Sequence, residues 1–165
     1  MASAPTADAP RPDPLSADRI AQRVVEARAR CERRGAHWTP LREDVLRRLL
    51  ARGASAKAYE LLADMQAVHG KVAPMTVYRA LDFLLAHGIV HRIASSSTYV
   101  ACPHPDASHA DAMFLVCEDC GSTVECEDAQ VTGSLARTLR GAGFAAHDIE
   151  IRGRCSRCSD AAPIG

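Results

Sequence analysis

No stretch of this 165-residue chain approaches the ~20 consecutive apolar residues that a membrane-spanning helix needs. The opening segment, MASAPTADAPRPDP, has no basic stretch followed by an apolar one, so no secretion signal is expected. A cytoplasmic location is the resulting expectation. The chain also lacks a phosphate-binding glycine loop, a Ser/His/Asp arrangement and any internal repeat, and nothing in it points to an enzyme. Net charge is absent too, at +0. That zero conceals an asymmetry. Residues 19–100 carry 14 Lys+Arg against 7 Asp+Glu, whereas residues 101–165 carry 5 against 10. A basic half and an acidic half suggest a part that faces a polyanion and a part that does not.

What the chain does have is cysteine, seven of them. In a reducing compartment these are metal ligands or redox groups rather than disulfides, and an odd number cannot all be paired. Two Cys-x-x-Cys pairs stand in the C-terminal third, Cys117/Cys120 and Cys155/Cys158. Each brings two thiolates together across a tight turn, with Gly121 after one pair and Gly153 before the other. Together they supply the four sulfurs that tetrahedral Zn²⁺ prefers. The competing reading of one such pair is a redox dithiol, but no thioredoxin-like βαβ pattern surrounds either. The 34 residues between Cys120 and Cys155 leave room for a strand–helix–strand unit between the knuckles.

Soft ligands remain after that cage is filled. His91, Cys102, His109 and Glu125 form a second N, S and O set, of a kind that suits Zn²⁺ better than Fe²⁺ because it contains a thiolate. His104 competes with His109, and Cys126 with Glu125. Alternation along a strand lets only one of residues 125 and 126 face the site. A second set suggests a metal that is sensed as well as one that holds the fold.

The pattern of apolar residues predicts the scaffold. Residues 1–15 show no periodicity and read as a disordered tail. From Ser16, an N-cap, Ile20, Val24, Ala27 and Cys31 fall at helical spacing, which places Cys31 in the core. Thr39-Pro40 opens a second helix that Gly53 ends, Ser55 caps a third that stops at Gly70, and a fourth runs from about Met75 to His87. Ile89–Ala94 and Thr98–Ala101 alternate as a β-hairpin. Three helices and a hairpin outline a winged helix-turn-helix over residues 16–101. In its fourth helix Thr76, Tyr78 and Arg79 lie off the apolar stripe, with Lys71 just before, placed to meet phosphates and a base edge. Residues 102–111 read as a hinge, 112–160 as a small α/β unit and 161–165 as a tail. That unit has strands at Ala112–Cys117, Thr123–Cys126 and Ala146–Arg152, with a helix over 129–142. The fold class is therefore α+β.

With these residues in view the sequence resembles the ferric-uptake-regulator family, and within it the zinc-uptake branch. The likeness runs from about Ser16 to Asp160. It rests on Thr39-Pro-Leu-Arg42, Ala58-Tyr-Glu-Leu-Leu62, Thr76-Val-Tyr-Arg-Ala-Leu-Asp-Phe-Leu84, Ser97-Thr-Tyr-Val-Ala-Cys102 and the two cysteine knuckles. The resemblance implies a homodimer with winged-helix domains and a C-terminal dimerisation domain, bound to a palindromic operator in double-stranded DNA. It implies structural zinc at Cys117, Cys120, Cys155 and Cys158 and sensed zinc at His91, Cys102, His109 and Glu125, two ions per monomer. It matches Tyr78 and Arg79 to residues that touch DNA, and Arg42 joins Thr76 and Lys71 beside them. The alternative is a regulator of the same fold that senses iron (Fe²⁺), manganese (Mn²⁺) or peroxide, and two departures weaken iron and peroxide sensing. The stretch before the first knuckle, His109-Ala-Asp-Ala112, has one histidine where iron sensors are His-rich, and Gly53-Ala-Ser55 has none. No ligand role is assigned to Asp111 or His147.

Overall fold

The structure is a computed structural model that describes residues 15–103, 112–126, 128–144 and 148–159. His104, His109, Asp111 and His147, together with nearly all of the N-terminal tail and of the hinge, lie outside the described residues. Two compact units divide the chain, one within residues 13–107 and the other within 108–165. No helix among the described residues is long and apolar enough to cross a membrane.

The first unit holds four helices and a hairpin: α1 (Ala17–Arg33), α2 (Pro40–Arg52), α3 (Ala58–His69), α4 (Pro74–Ala86), β1 (Val90–Ile93) and β2 (Thr98–Ala101). The first two helices begin where side chains satisfy orphan amides. Ser16 accepts from the Arg19 amide, and Thr39 accepts from the Arg42 amide ahead of Pro40 at the first helical position. Gly53 ends α2 at φ 58°, a left-handed conformation that costs glycine little.

The third helix starts later than its sequence suggests. Ser55 is not its cap; α3 begins at Ala58. The cause is tertiary. Ala56 exchanges two backbone hydrogen bonds with Tyr99 (2.9 and 2.7 Å), which hold it in a single antiparallel bridge beside the hairpin. Glu60 then turns back to accept from the Lys57 amide at 2.7 Å, half of a capping box.

Val24, Ala27 and Cys31 of α1 pack with Val45, Leu46 and Leu49 of α2, Leu61 and Met65 of α3, and Val77, Leu81 and Leu84 of α4. The hairpin pairs Val90 with Ala101, His91 with Val100, Arg92 with Tyr99 and Ile93 with Thr98.

The second unit holds β3 (Ala112–Cys117), β4 (Thr123–Glu125), α5 (Ala129–Gly141), β5 (Asp148–Gly153) and the single turn α6 (Ser156–Ser159). Its sheet runs β4-β3-β5. The β3–β4 pair is antiparallel and the β3–β5 pair parallel, so α5 lies on the crossover between two strands that point the same way. Asp128 caps α5 by accepting from the Gln130 and Val131 amides. Met113, Phe114 and Val116 are the large buried side chains of β3. The whole is an α+β chain: a winged helix-turn-helix followed by a small α/β unit.

Candidate metal centre and nucleic-acid face

The parallel register explains the cysteine cage. It pairs Cys117, the last residue of β3, with Gly153, the last of β5. Both knuckles therefore leave the same end of two adjacent strands. The first turns through Gly121, whose φ of 69° needs glycine and whose amide donates to the Cys117 carbonyl at 3.0 Å. In the second, the amides of Cys158 and Ser159 both donate to the Cys155 carbonyl at 2.9 Å.

The two knuckles are laced to each other. The Glu118 amide donates to the Gly153 carbonyl at 2.9 Å, and the Cys155 amide to the Cys117 sulfur at 3.4 Å. Ion pairs join Arg152 to Glu118 at 2.5 Å and Arg154 to Asp119 at 3.0 Å. Both pairs are exposed, so their contribution is to alignment more than to stability. Sequence reading missed them, although each acid lies inside the first knuckle and each arginine flanks Gly153.

All four sulfurs lie within 4.8 Å of one another, and the Cys120 and Cys155 sulfurs are 3.8 Å apart. A tetrahedron with Zn–S of about 2.3 Å has S···S edges of about 3.8 Å, so the cluster fits zinc. No disulfide joins any of the seven cysteines.

The electrostatics are those of a site that wants a cation. Backbone amides of Cys120 and Cys155 pull the Cys117 thiol down to about 6 from 9.0. The Cys158 amide also lowers Cys155. With negative charge already placed there, Cys158 is pushed up to about 12, chiefly by its hydrogen bond with Cys155. Four thiols this close share a limited negative charge until a dication takes up the rest.

The second ligand set divides between the units. In the first unit, His91 on β1 and Cys102 just past β2 are both buried, Cys102 at 0% exposure. They lie on one face of the hairpin, because Val100 opposite His91 and Cys102 are two residues apart. A ligand atom of each comes within 4.8 Å of the other. This N/S pair has the chemistry of a zinc half-site. Glu125 stands at the end of β4 in the second unit, opposite Phe114. Cys126 follows it and donates its amide to the Met113 carbonyl at 2.7 Å.

A further group touches Cys102, and its sequence position gave no sign of it. Arg23 of α1 donates through its two terminal nitrogens to the carbonyls of Cys102 and Pro103.

On α4, Tyr78 is 43% exposed, Arg79 is exposed and Thr76 half-buried, with Lys71 exposed before the helix. Arg42 is braced instead of loose. Its guanidinium lies 3.5 Å over the Phe83 ring and donates to the His37 carbonyl. All five DNA-facing candidates belong to the first unit, where residues 19–100 carry the positive excess.

A winged helix bearing a buried His–Cys pair, in one chain with a four-sulfur cage, defines a metal-ligating winged-helix protein. The chain belongs to the ferric uptake regulator family, whose sequence model matches residues 33–153. It is 37% identical over 139 residues to the zinc uptake regulation protein of Escherichia coli (strain K12), covering 82% of this chain and 80% of that protein. A zinc uptake regulator solved with zinc and DNA is similar in structure, with a TM-score of 0.76 at 31% identity over 86% of this chain and 96% of that one. Holo XcZur aligns with a TM-score of 0.69 at 40% identity, over 84% and 99% of the two chains.

Proposed function

We propose that this protein is a zinc-responsive transcriptional repressor that binds operator DNA in the cytoplasm and controls zinc uptake and homeostasis genes. It acts by binding, not as an enzyme. The observation that carries the reading is the buried His91–Cys102 pair on the wing of a DNA-binding unit. A ligand pair there couples metal occupancy to the part of the molecule that meets DNA. The similarity to zinc uptake regulators supports the choice of metal.

Two zinc ions serve each monomer. Cys117, Cys120, Cys155 and Cys158 hold the structural ion. His91, Cys102, His109 and Glu125 hold the regulatory one, which supplies a cross-link between the wing and the second unit. His91 and Cys102 then no longer move independently of Glu125, and the DNA-binding unit is confined to the conformers that fit a palindromic operator. A ~100-fold gain in DNA affinity needs about 2.7 kcal/mol of coupling, and DNA tightens zinc binding by the same factor. Arg79 and Tyr78 meet base edges, while Thr76, Lys71 and Arg42 meet phosphates.

A homodimer is part of the proposal. Leu115 of β3 stands beside Val124 of β4 and Ile151 of β5 in register, a row of apolar residues across one sheet face. Leu115 and Ile151 are 43% and 46% exposed, which suits burial against a second copy. Division of the chain at a 102–111 hinge between residues 16–101 and 112–160 belongs to the same reading.

The test pairs zinc content with DNA binding. The zinc-loaded protein selects sites from a random duplex library, and anisotropy on a selected site is followed across a free-zinc titration. Two zincs per monomer, one exchangeable, with DNA binding tracking that one, is the expected result. Arg79→Ala is expected to lose about 1–3 kcal/mol of discrimination against random DNA. A single held zinc, with DNA binding indifferent to free zinc, sinks the sensor and turns attention to Fe²⁺, Mn²⁺ or peroxide as the signal.

A further inference from the structure

We infer that Arg23, on the first helix, is the positioning residue for Cys102 and thereby sets the affinity of the exchangeable metal site. This inference rests on the reading of Cys102 as a regulatory ligand.

Cys102 sits where the hairpin ladder stops. Ala101 is the last residue of β2, and Pro103 has no amide with which to continue it. The Cys102 amide is still held, donating to the Ile89 carbonyl at 2.9 Å. Its carbonyl and that of Pro103 lie past the last ladder pair, Val90 with Ala101. Arg23 takes both, one terminal nitrogen to each. The planar fork of a guanidinium suits this task, since two parallel donors fix two carbonyls at once. With the amide held on one side and the carbonyl on the other, the backbone of Cys102 is fixed at both ends. Only rotation about its own side chain is left to aim the sulfur. His91 is already fixed by its place in the ladder opposite Val100.

The surroundings strengthen the grip. Ala27, Leu46, Leu50 and Ile89 line the small cavity that Arg23 and Cys102 face. Hydrogen bonds from a charged donor are stronger against such apolar walls than in water. The helix carrying Arg23 is itself anchored in the core through Val24 and Ala27. Arg23 therefore ties the carbonyl side of Cys102 to the helical core, while Ile89 holds its amide. Removing such a supporting partner typically weakens a metal site 10–100-fold, because the ligand must be ordered again at each binding event.

The experiment measures zinc affinity of the full-length protein by competition with a chromophoric chelator, for wild type, Arg23→Ala and Arg23→Lys. Cobalt substitution at the exchangeable site supplies a second readout, the thiolate-to-cobalt charge-transfer band. Arg23→Ala is expected to lower affinity of the exchangeable site ~10–100-fold and to weaken that band, with the cage zinc and helical content retained. Arg23→Lys keeps charge and stem but not the fork, so it recovers only part of the affinity. If Arg23→Ala does not fold, the lysine variant carries the prediction through the same two readouts. Variants that bind zinc as wild type does, with an unchanged cobalt spectrum, overturn the inference while leaving the sensor reading intact. A wild-type protein with no exchangeable zinc sinks both.

Discussion

Changing Cys155 to serine should unfold half of this protein and leave the other half standing. The second unit has three large side chains in its buried strand, Met113, Phe114 and Val116. At about 1.5–3 kcal/mol each, their burial contributes roughly 5–9 kcal/mol. A structural zinc in a small site contributes about 10–16 kcal/mol of apparent free energy at neutral pH. An ion held by the four cysteines would therefore outweigh the core of its unit. Serine does not ionise as a thiol does, so Cys155→Ser keeps the backbone amide that donates to Cys117 but leaves three sulfurs, removing the one 3.8 Å from the Cys120 sulfur. Zinc per monomer, measured by mass spectrometry of the metal, should fall by one. Calorimetry should lose the transition of residues 112–159. The transition of residues 15–103, which have their own core, should persist near its wild-type temperature. A Cys155→Ser protein that keeps its zinc and both transitions would refute the argument that metal, not burial, holds this unit.

Acid should act on the same unit. The folded-state value of Cys117, about 6, lies below its ordinary 9.0, so its contribution to stability is complete above 9, shrinks as pH falls, and is gone below about 6. A bound dication keeps the thiolates deprotonated to lower pH still, so zinc release, followed with an indicator dye, should come below about pH 6 and coincide with unfolding of the second unit; zinc lost without unfolding would count against it. A core change in the other unit should give the reverse pattern. Leu81 is fully buried on α4, so Leu81→Ala should cost about 2–5 kcal/mol and lower the first transition, with cage zinc unchanged. Loss of cage zinc in that variant would mean that the two units do not melt independently.

Local chemistry made much of this molecule legible. Ser16, Thr39 and Gly53 announce helix ends because capping depends on neighbours a few residues away. The apolar stripe of α1 places Cys31 in the core, where it is found at 0% exposure. The paired cysteines announce a cage because thiolates at that spacing have few other uses. Long-range partners are what stayed hidden. Ser55 looks like a cap until Tyr99, 44 residues on, draws Ala56 into a bridge. Nothing in the local sequence marks Arg23, whose carbonyl partners lie 79 and 80 residues away. That β3 and β5 run parallel, which brings the knuckles together, follows from the crossover and not from either strand alone.

The crossover also sets the order in which the cage can be made. A ribosome delivers Cys117 and Cys120 first, a two-sulfur claw that grips weakly. The other two sulfurs emerge only after the 34 residues that include α5 and β5. Until then β3 has no parallel neighbour, and the claw has nothing to close against. A four-sulfur grip thus has to wait for β5, like a clasp that fastens only once its second half has been threaded into place.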